Sequence, residues 1–392
     1  MDFLTDELNQ LKTDNLYRLP QIIESRQGTT VIINGQKFIL LCSNDYLGLS
    51  NHPKLIEASC VATQEYGTSS GASRLICGNL KIHVKLEQEI ALFKRAEDAI
   101  IFSSGYMANL GVMNSLMNKN DLIIMDKLNH ASLIDGARLS GAHLRVYPHQ
   151  DMSALKKILD SSSIYRRKLI VVDGIFSMDG DIASLPEIVD LAKHYQAMVM
   201  VDDAHATGIL GKNGRGSAEH FGLEGKIDIQ MGTFSKALGG FGGFVAGKKV
   251  LIDYLKNNAR SFIYSTALPA SSLAASLAGL EIVQTEPKWR ESLWNNANYL
   301  QQKIHQIGLN SLNSTTQIIP VLTGSNENTI QTANHLYNHG IFAPGIRPPS
   351  VPKGKGRIRL SVMATHTKEE LDCVISILND IFGQCQKLRD FS

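Results

Sequence analysis

The chain has few of the features that mark a special class of protein. It has five cysteines, Cys42, Cys60, Cys77, Cys373 and Cys385, an odd number without a CxxC pair. Neither a disulfide framework nor a metal site is signalled, and reduced, mostly buried thiols are expected. No apolar run approaches the roughly 18 uninterrupted residues of a membrane-spanning helix. The start, Met1 to Leu8, is acidic and lacks the basic segment and apolar core of a secretory signal. These absences predict a soluble, cytoplasmic protein with no membrane partner. Charge of one sign never accumulates: 39 basic and 37 acidic side chains are interspersed, for a net charge of +2. That argues against nucleic acid as a partner. A GxxxxGK[ST] phosphate loop is also missing, as are internal repeats and low-complexity segments.

What is present is an ordinary globular composition, 43% hydrophobic and 19% charged, over 392 residues. That length is too great for one simple core and fits about two or three domains. Residues 1–45 read as an N-terminal arm. Phe3, Leu4, Leu8 and Leu11 have helical spacing over 2–12, and the strand-rich run Val31 to Leu41 is broken by Asn34-Gly35, a hairpin signal. Such an arm has too little core to stand alone.

Residues 46–285 alternate short apolar runs with amphipathic stretches. Strands are predicted at 99–103, 121–125, 142–147, 169–173, 198–201, 227–231 and 243–246, and helices at 83–93, 107–116, 153–159 and 185–195. This is an α/β pattern, a large and mainly parallel sheet of about seven strands covered on both faces. Residues 286–392 read as a smaller α+β domain. Ligands of such sheets bind beyond the carboxyl ends of the strands.

Polar residues cluster at those ends. Lys236, in Thr233-Phe234-Ser235-Lys236-Ala237-Leu238-Gly239-Gly240, follows an apolar run. A lysine there is suited to desolvation, and a neutral amine condenses with aldehydes. Asp202 and His205 close another strand in Val201-Asp202-Asp203-Ala204-His205. A carboxylate facing a pyridine nitrogen keeps it protonated and makes the ring an electron sink. Ser103-Ser104-Gly105-Tyr106-Met107-Ala108-Asn109 opens a helix after a strand, a seat for a phosphate. His130 and Ser177 also sit at strand ends. Singly, each has an ordinary reading as a solvated side chain, a cap or a turn residue. Together they suggest pyridoxal phosphate chemistry.

In order along the chain stand SNDYLGLS (43–50), SSGASRLICGN (69–79), SSGYMAN, NHASL, FSMDGD, VDDAHATG, TFSKALGG, YSTALP (264–269) and RPPSVPKGKGRIRLS (347–361). On these motifs the chain resembles the α-oxoamine synthases nearly end to end. The resemblance implies a pyridoxal-phosphate-dependent transferase of fold type I with pyridoxal 5'-phosphate as cofactor. It further implies that Lys236 is the Schiff-base lysine, that Asp202 pairs with the pyridine nitrogen, and that His205 and Ser177 contact the ring oxygen. His130 would stack on the ring and is a candidate proton donor. Ser104, Gly105, Tyr106 and Thr233 would hold the phosphate. Ser265 and Thr266 would complete that site across a homodimer interface, so that the active sites are shared.

Arg359 matches the arginine that clamps the amino-acid carboxylate, and Asn44 lies in the active-site NDYLG segment. Within the family the chain is most similar to the branch that joins L-alanine to a pimeloyl thioester in biotin synthesis. The acyl carrier stays open between coenzyme A and an acyl carrier protein. Ser350 stands where that branch usually has threonine, which keeps the hydroxyl. Arg18 is the candidate for the N-terminal arginine near the acyl chain. The alternatives are a glycine C-acetyltransferase and, more remotely, a non-catalytic cofactor-binding regulator.

Overall fold

A computed structural model of the protein describes residues 1–389, with side chains described to residue 383. The chain divides into two compact units, one of residues 52–177 and 182–290, the other of 1–51, 178–181 and 291–392.

The first of these is built on seven strands: β1 (Asp98–Phe102), β2 (Leu122–Asp126), β3 (His143–Tyr147), β4 (Lys168–Asp173), β5 (Met198–Asp202), β6 (Ile229–Thr233) and β7 (Gly243–Gly247). Their order across the sheet is β1-β7-β6-β5-β4-β2-β3. Only β7 runs antiparallel to its neighbours; the pairs β6-β5, β5-β4, β4-β2 and β2-β3 are parallel. All seven predicted strands are present, displaced by a residue or two at their ends.

The strands read as unbroken apolar runs because helices cover both faces. Alternate residues therefore enter two different cores. Ile123, Met125, Val171 and Met200 join Val112, Met113 and Leu133 on one face. Leu122, Ile124, Ile170, Val172, Val199 and Val201 join Leu155, Ile188 and Ala192 on the other. The predicted helices appear as Lys81–Lys94, Gly105–Leu116, Met152–Asp160 and Leu185–Tyr195. Pro53–Tyr66 and Ala270–Thr285 are also helical. They pack through Ala62, Ala270 and Ala274, residues too small to produce a clear apolar stripe in sequence.

In the other unit, Thr30–Ile33 and Gln36–Leu40 form an antiparallel hairpin. Its turn is Asn34-Gly35, both at positive φ (50° and 71°), the left-handed pair that a tight hairpin needs. Gln36–Leu40 also pairs, in parallel, with Ile341–Phe342. A second sheet places Gly356–Ser361 between Ile318–Gly324 and Gly345–Ile346. The N-terminal helix, Asp2–Thr13, buries no residue, and Phe3, Leu4, Leu8 and Leu11 are exposed.

One expectation needs adjustment. The four described cysteines are unpaired, but Cys60, Cys77 and Cys373 are exposed and Cys42 is half-buried. This corrects the expectation of mostly buried thiols: Cys60 and Cys373 fall on solvent-facing positions of amphipathic helices. The side chain of Cys385 lies outside the described residues. Among the described residues no helix is long and apolar enough to cross a membrane.

His83, in helix Lys81–Lys94, is fully buried. Burial first, and the Arg74 charge second, push its imidazole down to about 4 from an ordinary value of 6.5. The folded chain holds the neutral ring, so unfolding takes up a proton between pH 6.5 and about 4. Stability contributed by the neutral ring is therefore lost as pH falls through that window. Urea unfolding at pH 7 and pH 5 tests this. The parent should lose on the order of 1–2 kcal/mol more than His83→Gln over that interval, and equal losses would refute the assignment.

Candidate active site

The carboxyl ends of β4, β5 and β6 converge on a cavity of about 160 Å³ lined by Gly105, Tyr106, Asn109, His130, Ser132, Asp173, Asp202, His205, Thr233, Ser235 and Lys236, with Ala204 and Met231. Lys236 is half-buried beyond β6, and its Nζ lies 3.1 Å from His205 Nε2. His205 is buried, three residues past the end of β5. Asp202, the last residue of β5, is buried and accepts at both oxygens. Ala204 N–H donates to Oδ1 at 2.9 Å and Asn109 Nδ2 to Oδ2 at 2.8 Å.

The helix Gly105–Leu116 begins here because Ser104 Oγ accepts from Met107 N–H at 3.2 Å. The amides of Gly105 and Tyr106, first in the helix, have no intrahelical acceptor. Two glycines allow the close approach. A Cβ on Gly105 would meet Met231 Cε at 2.9 Å, and one on Gly243 would lie 2.7 Å from Gly105 N.

Asp173 is the register neighbour of Asp202 on the adjacent strand. Its Oδ2 accepts from His130 backbone N–H at 2.7 Å. Burial, followed by the charge of Asp202, raises its carboxyl well above the usual range, and the His130 amide opposes this. His130 is drawn below its ordinary value, first by burial; Asp202 pulls the other way and Lys236 adds to the lowering. Thr233 Oγ1 donates to Gly242 O at 2.7 Å and accepts from Ser235 N–H at 3.1 Å, while Ser235 is exposed.

The aspartates 202 and 203 are adjacent, yet only Asp202 lines the cavity. Asp203 is held elsewhere by buried Lys94, whose Nζ lies 2.9 Å from Oδ2, and by Ser217 N–H. Strand alternation decides between them. Asp202 shares the face of Met200, and with it helix Gly105–Leu116.

Of the residues singled out in the sequence, the cavity gathers Gly105, Tyr106, His130, Asp202, His205, Thr233 and Lys236. Ser104, Ser177, Ser265 and Thr266 do not line it. Ser265 and Thr266 instead border a small recess with Arg74, His83 and Ser103, and Thr266 bridges to Ser73. Asn109, Ser132, Asp173 and Ser235 line the cavity without having been singled out. The only sequence signal for them is their place inside the quoted motifs or, for Asp173, at the end of an apolar run.

The second unit carries the other candidates. Arg359 is buried and donates to Ser361 Oγ at 2.6 Å, Tyr46 Oη at 3.2 Å and Asn44 Oδ1 at 3.4 Å. Tyr46 Oη in turn donates to Asn44 Oδ1 at 3.0 Å. Cys42 lies close enough to feel the guanidinium, yet burial dominates and pushes its thiol up to about 12. Arg18 Nη2 donates to Pro348 O at 2.9 Å, and Arg347 Nη1 to Asn15 O at 2.7 Å. The arm therefore meets the segment that carries Ser350, which is exposed.

The donor set fits a phosphorylated pyridine aldehyde. It offers an amine for the aldehyde, a buried carboxylate for a ring N–H, and free amides at a glycine-lined helix start. The chain belongs to the aminotransferase class I and II family, whose model matches residues 36–378. More specifically, it is 47% identical over 385 residues to the 8-amino-7-oxononanoate synthase of Thermoanaerobacter pseudethanolicus, covering 98% of each chain. Against 8-amino-7-oxononanoate synthase 1 of Bacillus subtilis the identity is 46% over 387 residues and 99% of each chain. Among solved structures, a serine palmitoyltransferase variant from S. paucimobilis with a bound PLP–myriocin aldimine superposes with a TM-score of 0.92. That pair is 32% identical, with 97% of this chain and 96% of that chain covered.

The Lys94–Asp203 pair sets which aspartate is free for the cavity, and both side chains are essentially inaccessible. Lys94→Met leaves a buried carboxylate without its cation and should cost about 3–5 kcal/mol in urea unfolding. Lys94→Met/Asp203→Asn should recover more than half of that loss. A single variant as stable as the parent would show that the pair does not anchor this loop.

Proposed function

We propose that the protein is a pyridoxal-5'-phosphate-dependent acyltransferase that condenses L-alanine with a pimeloyl thioester. The products are 8-amino-7-oxononanoate, carbon dioxide and the free thiol carrier, a step of biotin synthesis. The observation that carries this reading is identity of 46–47% along almost the whole chain to synthases of that product, against 32% to a serine palmitoyltransferase.

When bound, the cofactor supplies an aldehyde that captures amines and a ring that absorbs the charge left at an amino acid's α-carbon. The residues of this chain do the rest. Lys236 Nζ would hold the cofactor and, as a free amine, would take the α-proton of alanine. His205, 3.1 Å from that amine, orients it, and with Ser177 would hold the ring oxygen. Asp202 would keep the ring nitrogen protonated, and its two N–H donors hold the carboxylate in place. Gly105 and Tyr106 offer their amides to the phosphate, with Ser104 and Thr233 supporting them.

Arg359 supplies a guanidinium for the alanine carboxylate, and Asn44 steadies it. Arg18 and Ser350 serve the acyl chain. A carbon–carbon bond forms between the α-carbon and the thioester carbonyl, and the thiol leaves with a proton. The carboxylate then departs as carbon dioxide, and the α-carbon regains a proton from His130 or Lys236.

Two copies make the working unit. Ser265 and Thr266 stand outside the cavity of their own chain, which supports their completing the partner's phosphate site. The enzyme works in the cytoplasm on small-molecule substrates, with coenzyme A or an acyl carrier protein as the acyl carrier. No metal takes part in this scheme.

Mass spectrometry of the product from alanine and pimeloyl-CoA is the direct test. The expected product is 8-amino-7-oxononanoate; its absence under conditions where glycine and acetyl-CoA react would sink the assignment. A second outcome isolates Asp202. Exchange of the alanine α-proton for deuterium should slow about a hundredfold or more in Asp202→Ala, the loss of roughly 3 kcal/mol of charge stabilisation. Exchange at the parent rate would mean that the carboxylate does not serve the ring.

A further inference from the structure

We infer that Asn109 and Ser132 are positioning residues that hold His130 in a single tautomer, with its proton on Nε2. The geometry rests on four contacts. Asn109 Nδ2 donates to Asp202 Oδ2 and to Ser132 Oγ, both at 2.8 Å. Ser132 Oγ lies 2.8 Å from His130 Nδ1, and Ser132 backbone N–H points at the same nitrogen from 3.3 Å. Asn109 and Ser132 are both buried, at 1% exposure each.

The direction of each bond follows from the donor inventory. A backbone N–H only donates, so His130 Nδ1 is an acceptor. Asp202, as a carboxylate, only accepts, so the amide nitrogen of Asn109 faces it. That nitrogen carries two protons, and the second goes to Ser132 Oγ. With its lone pair engaged, the Ser132 hydroxyl has its own proton free for Nδ1. The chain therefore runs from the Asn109 amide through the Ser132 hydroxyl to His130 Nδ1, and every donor has an acceptor.

One atom bears the cost. Asn109 Oδ1 is buried with no hydrogen-bond partner among the described residues. Turning the amide over would give that oxygen the Ser132 hydroxyl but would set it against the Asp202 carboxylate, so the two N–H bonds fix the orientation.

Among the described residues His130 Nε2 has no hydrogen-bond partner, and the residue, part-buried at its Nδ1 contact with Ser132, lines the cavity. With Nδ1 accepting, a neutral ring must carry its proton at Nε2. Burial, which draws the ring below its ordinary value, keeps it neutral at pH 7. His130 thus presents an N–H toward the cavity. The same asparagine that steadies the ring-facing carboxylate also sets the tautomer of the histidine. Asp173 fixes the residue from the other side through the His130 backbone N–H.

The inference rests on the proposed function for its catalytic meaning, since an N–H held toward the cavity serves a bound substrate as a hydrogen-bond donor only if one is there. The tautomer itself is read without substrate. In the cofactor-loaded protein labelled with nitrogen-15 at histidine, the nitrogen–hydrogen correlation of His130, assigned by its loss in His130→Gln, should show a protonated Nε2 and an unprotonated Nδ1. Ser132→Ala should give a mixed pattern and lower kcat about tenfold with KM for alanine unchanged. Ser132→Thr, which restores the hydroxyl, should recover both readings. Asn109→Ala should mix the tautomers as well, with a thermal melt confirming its fold; Ser132→Ala carries the test alone if that variant does not fold.

A proton on Nδ1 in the parent overturns the inference, and so does a parent-like pattern in Ser132→Ala, where the backbone amide alone would then suffice. The expected tautomer pattern without product from alanine and pimeloyl-CoA would refute the functional reading alone. Product formation with an unchanged pattern in Ser132→Ala would refute the positioning role alone.

Discussion

Two carboxylates buried side by side at neighbouring strand ends repel one another, and the site is arranged around that repulsion. Asp173 and Asp202 are paired in register, and among the described residues neither accepts a hydrogen bond from a cation. N–H groups hold them instead: the His130 amide for Asp173, and the Ala204 amide and Asn109 side chain for Asp202. A charge can be buried this way when donors converge on it. Asp173 responds by holding its proton above the usual carboxylate range. Asp202 keeps its two donors and remains suited to face a cationic ring nitrogen. Asn109, His130 and Ala204 donate to one of these two groups, and Ser132 donates to His130.

The sheet makes the arrangement possible. Parallel strands buried on both faces offer two cores, and residue parity assigns each side chain to one of them. Asp202 follows Met200 onto the face covered by helix Gly105–Leu116. Asp203 turns away to Lys94, an ion pair removed from solvent. One residue of slip in β5 would exchange the two aspartates and leave Lys94 buried without a partner. The ion pair therefore acts as a register lock for the strand end that lines the cavity.

Much of this was legible in the chain. Apolar runs marked all seven strands because a covered parallel sheet admits no polar alternation. Helices with a clear stripe were equally readable, whereas Pro53–Tyr66 and Ala270–Thr285 were not. Their contact surface is built on alanines, which carry little periodic signal. The cysteines misled, since thiols on the outer face of a helix look no different in sequence from buried ones. Lys236, Asp202, His205 and His130 stood out because each follows an apolar run, a position where chance rarely puts a charge or an imidazole. Asn109 and Ser132 did not, because asparagine and serine near a helix start are common caps.

The positions of the strands along the chain, the residues at their carboxyl ends and the chemistry those residues can perform were determined by sequence alone, through side-chain type and period. Only the tertiary structure decided which of two adjacent aspartates enters the cavity and which nitrogen of His130 accepts. It also decided that Ser265 and Thr266 stand apart from the lysine of their own chain. Those outcomes depend on distances of about 3 Å between segments far apart in the chain, and the spacing of residues along a sequence carries no record of such distances.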